Sequence, residues 1–221
     1  MIAVGILGFV VQSKLQSVFN RYSRVPSPQG MSGAEAAEKM LRDNNIHGVK
    51  ITSTRGHLTD HYNPATRTVN LSESVYSQRS LSAVAVACHE CGHAIQHARA
   101  YAPLEMRSAL VPLVSFSSRM ATWVIIAGLL LISSGVGEMV CWVGIAMIGA
   151  SALFSLITLP VEYNASARAL EWMKSSRVAT NVEVQGASVA LKWAARTYLV
   201  AALSAIATLL YYVMLIMGRR D

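Results

Sequence analysis

The chain carries His89-Glu90-Cys91-Gly92-His93, two imidazoles four residues apart with a carboxylate beside the first. Residues 82–101 around it are rich in alanine and contain no proline, so they are expected to form one helix. Taking Cys88 as zero at roughly 100° per residue, His89 falls near ~100°, His93 near ~140°, His97 near ~180° and Glu90 near ~200°. Those four side chains share one face, while Cys88 and Cys91, near ~0° and ~300°, point into packing. Two histidines one turn apart can each place a ring nitrogen on a single Zn²⁺ at about 2.0–2.1 Å. Glu90 is splayed to one side of that pair. It suits the general base that takes a proton from a water polarised by the ion, as peptide hydrolysis requires. Gly92 permits close approach of backbone or substrate, at a helix-propensity cost of about 1 kcal/mol relative to alanine.

A catalytic zinc ordinarily keeps three protein ligands and one open position. His97 lies on the right face, but three ligands from consecutive turns of one straight helix fall almost in a line. It is read as supporting a ligand or facing substrate. A histidine six residues after His93 would make a metzincin, and that residue is Arg99. The third ligand is sought instead near Pro160, which suits the start of a new helix. Glu162 would sit on its first turn, with Glu171 as rival.

The elements that must hold these groups follow from composition. The chain has 221 residues and is 53% hydrophobic, with mean hydropathy +0.39, too apolar for a soluble domain of this size. Apolar runs at 121–135 and 139–159 are separated by Val136-Gly137-Glu138 and read as a membrane hairpin. A third span covers 198–217, closed by Arg219 and Arg220. The uncharged stretch 1–11 is shorter than the roughly 17–25 residues needed to cross a bilayer, and reads as an anchor or an incomplete span. Three cysteines make no disulfide framework. The net charge of +7 is assigned to membrane flanks, with no nucleic-acid motif present.

Lys and Arg number 12 in residues 12–119 and 5 in 160–196, with none in 136–138, which puts both segments on the cytoplasmic side. Arg219 and Arg220 run against that count. Within the first segment, Ser32-Gly33-Ala34-Glu35 is a capping box opening a helix that ends near Asn44-Asn45. Short alternating stretches at 49–53 and 67–71, around a turn at Asn63-Pro64, read as a small sheet. The second of these is the candidate edge strand for an extended substrate.

Gly56-His-Leu-Thr-Asp-His-Tyr-Asn-Pro64, Leu71-Ser72, residues 83–96 (AVAVACHECGHAIQ) and residues 159–170 (LPVEYNASARAL) closely resemble the YugP-like family of bacterial membrane neutral zinc metallopeptidases. The resemblance implies His89, His93 and Glu162 as ligands of one catalytic Zn²⁺ and Glu90 as base, in a gluzincin-like arrangement. The layout is also similar to HtpX and the CAAX prenyl proteases. Those carry an Asp four residues after the glutamate, bonded to a zinc-bound histidine. Here that position is Ser166, a weaker acceptor, which leaves Asn164 or another group to orient the ring. The thiol of Cys91, so near the ion, is expected to be oxidisable.

The expected fold is α+β and mostly helical: a small zincin-like catalytic domain with a short sheet, fused to three or four transmembrane helices. The parse is an anchor at 1–11, a catalytic part at 12–119, a hairpin at 120–159, a ligand-bearing helical segment at 160–196 and a span at 198–217. The expected function is zinc-dependent endoproteolysis of a peptide or protein substrate, membrane-associated or not, at the bacterial cytoplasmic membrane. Arg168, Tyr163 and His61 are candidates to steady the oxyanion. Two rivals are a membrane scaffold with a structural zinc and a zinc transporter. Against the transporter, no span contains His or Asp.

Overall fold

The computed structural model describes residues 2–218; Met1 and the Arg219-Arg220 pair invoked above lie outside them. The order is α1 (Ile2–Tyr22), α2 (Gly33–Asp43), β1 (Lys50–Thr54), β2 (His61–Asn63), β3 (Thr68–Ser72), α3 (Glu73–Tyr76), α4 (Leu81–Ala98), α5 (Ala102–Leu130), α6 (Gly135–Ser175) and α7 (Asn181–Met217). The chain is mostly helical with one small sheet. It divides into two compact units: Met1–Val10 with Glu105–Leu159 and Thr197–Asp221, and Val11–Leu104 with Pro160–Arg196. The apolar stretch at the amino terminus is the first half of a 21-residue helix that continues through Lys14 to Tyr22.

In the second unit, α4 is the central element. Ser80 caps it, its Oγ accepting from the Ala83 amide at 3.3 Å, and alanine keeps its cross-section narrow. Neighbours therefore approach from several sides, and all but four of its residues are buried. Helix α2 opens on the expected capping box, Ser32 N donating to Glu35 Oε2 at 2.8 Å and Glu35 N to Ser32 Oγ at 3.2 Å. Its Ala36, Ala37 and Met40 join Val69 and Leu71 of β3, Val84 and Cys88 of α4, and Ala169 and Met173 of α6 in one core.

The sheet has the order β1-β3-β2, with β1 parallel and β2 antiparallel to β3. The Asn63-Pro64 turn thus joins β2 to β3, and the stretches at 49–53 and 67–71 are parallel neighbours. This corrects the expected edge strand: residues 67–71 form the middle of the sheet, flanked on both sides. The three-residue β2 is too short to give an alternating signal. Asp60 ties the loop before it to the end of β3, accepting from Ser72 N at 2.7 Å and from Ser72 Oγ at 3.0 Å.

Three helices, α5, α6 and α7, are long and apolar enough to cross a membrane. In the first unit α5 and α6 pack through glycine. A Cβ on Gly128 would lie 2.6 Å from Cys141 Sγ, and one on Gly144 would lie 2.4 Å from the Ile125 side chain. Two sequence expectations are corrected here. Val136-Gly137-Glu138 is not the connection but the first turn of α6, because Gly137 serves contact: its Cβ would meet Leu131 O at 2.2 Å. Nor does Pro160 start a helix, since α6 runs through it unbroken. The missing amide removes one ladder bond, which the remaining turns of a long helix absorb.

Candidate metal centre

The site is set by how closely α4 and α6 approach. A Cβ on Gly92 would lie 2.5 Å from Ala165 O and 3.0 Å from the Ala165 carbonyl carbon and Cα, so the two backbones touch where glycine stands. Ala165 is flanked on α6 by Glu162 and Ser166, one turn apart on a shared face. Both reach His89. Its Nε2 is 3.2 Å from Glu162 Oε2, and its Nδ1 is 3.1 Å from Ser166 Oγ. His93 Nε2 lies 3.6 Å from the same Glu162 oxygen, and the two rings meet edge to face with centroids 4.8 Å apart.

His89, His93 and Glu162 each offer one ligand atom, all within 4.8 Å of one another. Tetrahedral zinc with bonds of about 2.0–2.2 Å separates its ligand atoms by about 3.4 Å, and the observed 3.2 and 3.6 Å bracket that edge. The donor set, two imidazoles and one carboxylate, is one that catalytic zinc uses.

Proton placement on His93 strengthens the fit. Gln96 is fully buried, and its Nε2 donates to Val161 O at 2.8 Å and to Asn164 Oδ1 at 3.0 Å. A backbone carbonyl can only accept, so the amide orientation is fixed and Gln96 Oε1 faces His93 Nδ1 at 3.0 Å. His93 therefore carries a proton on Nδ1. When the ring is neutral, the lone pair of Nε2 points toward Glu162. A lone pair and a carboxylate converging in a buried place repel unless a cation stands between them.

Glu90 is buried beside this group, 8% exposed, and burial pushes its carboxyl above the ordinary carboxylate range. The imidazoles of His89 and His93 pull it back, while Glu162 and Asp60 push it further up. Cys88 and Cys91 are fully buried in the core on the other side of α4, and burial pushes both thiols upward. That runs against the expected oxidisable thiol at Cys91, since burial disfavours the reactive thiolate there.

The remaining candidates stand in different places. His97 is outside the converging group; its Nδ1 pairs with Tyr62 Oη at 2.7 Å. Asn164 Oδ1 accepts from Gln96 Nε2 at 3.0 Å, and Arg168 Nε in turn donates to the same oxygen at 2.8 Å. The Arg168 side chain also lines a cavity of about 350 Å³ with Arg99, Glu171 and Trp172. Glu171, the rival ligand, belongs to that cavity and not to the converging group. Tyr163 is half-exposed. His61 on β2 bonds Thr59 O through Nδ1 at 2.8 Å, and its Nε2 accepts from Asn70 Nδ2 at 3.2 Å. Sequence reasoning missed Gln96, although its spacing of three from His93 on one helix was the available signal. The Tyr62 contact across 35 residues left no local trace.

A family model described as "Putative neutral zinc metallopeptidase" matches residues 1–217. A relative from Bacillus subtilis (strain 168), named "Putative membrane protease YugP", is 42% identical over 215 residues, 97% of this chain and 94% of its own length. No solved structure matches the chain.

Proposed function

Because the chain belongs to this family of neutral zinc metallopeptidases, we propose that it is a membrane-embedded zinc endopeptidase whose ion is held by His89, His93 and Glu162, with Glu90 as general base. The observation that carries the reading is the convergence of two Nε2 atoms on one carboxylate oxygen, at 3.2 and 3.6 Å, with Gln96 Oε1 on the far nitrogen of His93.

When bound, the ion supplies Lewis-acid polarisation of a water and of the scissile carbonyl. The chain does the rest. Glu90, its proton affinity raised by burial, takes a proton as the water oxygen attacks the carbonyl carbon, then passes it to the amine as the C–N bond breaks. Ser166 and Gln96 hold the two rings in register by bonding their Nδ1 atoms. Arg168 and Asn164 brace Gln96. The catalytic part is zincin-like and faces the cytoplasm, supported by the 12 and 5 basic residues of segments 12–119 and 160–196.

The test is zinc stoichiometry of the purified full chain together with cleavage of an unfolded protein substrate. Glu90→Gln is expected to keep about one zinc and lose turnover by at least about a thousandfold, within the range for a lost proton-transfer group. Glu162→Ala is expected to lose the metal. A Glu90→Gln variant as active as the wild type would overturn the proposal, and would fit a structural metal instead.

A further inference from the structure

A second cavity, of about 320 Å³, lies one helical turn further along α4. Ile46, Val49 and Ala94 give it an apolar floor, and Tyr62, Arg67 and His97 a polar rim; none of the residues lining it is acidic. The 350 Å³ cavity lacks this bias, since Asp43 and Glu171 offset Arg99 and Arg168 there.

Four residues separate His97 from His93, a rise of roughly 6 Å on the same face of α4. An extended peptide advances about 3.3 Å per residue, so about two residues span that interval. Arg67 ends the turn between β2 and β3 with φ of 50°, a left-handed conformation that disfavours a side chain. Its exposed guanidinium has no hydrogen-bond or ion-pair partner among the described residues. Its field reaches the cavity nonetheless: burial raises the Tyr62 phenol, and Arg67 pulls it back. Tyr62 Oη stands 2.7 Å from His97 Nδ1 and holds the ring; by donating to that nitrogen the hydroxyl would leave the ring proton on Nε2.

We propose that this cavity is the subsite for a substrate carboxylate about two residues from the scissile bond, with Arg67 as its counter-ion and His97, held by Tyr62, as a second donor. The carboxylate is either an acidic side chain or the terminal group of the peptide. The proposal rests on reading the neighbouring centre as a peptidase site.

The experiment uses the full chain, zinc-loaded, in detergent micelles. Four dye-labelled peptides of one backbone carry Glu or Gln at the second residue from the bond, each with a free or an amidated carboxyl terminus. Binding is read by fluorescence anisotropy on the Glu90→Gln variant, so that turnover is not needed, and kcat/KM is read on the otherwise unaltered chain. One carboxylate source is expected to tighten binding by at least about tenfold over the doubly neutral peptide. Comparing the internal Glu with the free terminus identifies which. Arg67→Gly removes the cation and suits the left-handed φ, so it should abolish the preference with thermal stability kept; Arg67→Lys should retain part of it. Equal binding of all four peptides, or a preference that survives Arg67→Gly, overturns the subsite. Binding preference without cleavage of any peptide counts against the peptidase reading and leaves the cavity's carboxylate specificity standing.

Discussion

Replacing Gly92 by alanine tests the central packing claim with a single methyl group. The added Cβ would stand 2.5 Å from Ala165 O. Ordinary contact begins near 3.4 Å, so α6 must retreat locally by about 0.9 Å (3.4 − 2.5). Metal sites hold their distances to about 0.2 Å, and the retreat moves Glu162 and Ser166, the two groups facing His89, by several times that tolerance. Stability should change little. Overpacking costs about 1–3 kcal/mol, while removing a mid-helix glycine returns about 1 kcal/mol. Zinc affinity should fall much further, by about a hundredfold or more, because a ligand and a supporting bond are displaced together. Chelator competition on the purified chain measures the affinity, and thermal unfolding without metal measures the fold. A folded Gly92→Ala protein that binds zinc within threefold of the wild type would refute the close-approach argument.

Other outcomes follow from the same geometry. Gln96→Leu leaves the His93 Nδ1 proton and Val161 O without their partner, and chelator competition should show zinc binding weakened about 10–100-fold. Ser166→Ala should weaken it by about tenfold, whereas Ser166→Asp, a stronger acceptor where Ser166 Oγ stands 3.1 Å from His89 Nδ1, should restore or exceed wild-type affinity. In the hairpin, Gly137→Ala forces a Cβ onto Leu131 O and should cost about 1–3 kcal/mol in thermal or denaturant unfolding, with zinc stoichiometry preserved. Adding zinc at about a hundred times its Kd should stabilise the wild type by about 2.7 kcal/mol; Glu162→Ala should lose most of that gain, which differential scanning with and without chelator will detect.

Helical periodicity was enough to gather His89, Glu90 and His93 on one face and to turn both cysteines away, because every one of those residues lies within two turns of one helix. The capping box at Ser32 was equally local. Sheet topology was not legible: β1 and β3 are parallel, and parallel pairing leaves no short turn in the sequence to announce it. Glycine and proline misled in the long apolar helices. In water they punctuate helices, so Gly137 and Pro160 read as breaks. Along α6 one serves close packing and the other is carried inside a helix of 41 residues.

The proposed third ligand shows where sequence reasoning stops and packing takes over. Placing a carboxylate 73 residues from His89 against it needs a rigid carrier and a gap for the carrier to enter. The carrier is α6, unbroken at Pro160, and the gap is Gly92. Neither feature is chemical, yet each decides whether Glu162 meets the imidazoles. Burial then makes the arrangement demanding. Glu162 is 3% exposed and His93 6%, so water cannot screen the oxygen from the facing lone pair. Gln96, Asn164 and Arg168 hold the His93 proton on Nδ1 and leave Nε2 turned toward Glu162, the arrangement the proposed ion site requires. The three residues hydrogen-bonded in series behind the ring thus support the proposed cation in front of it.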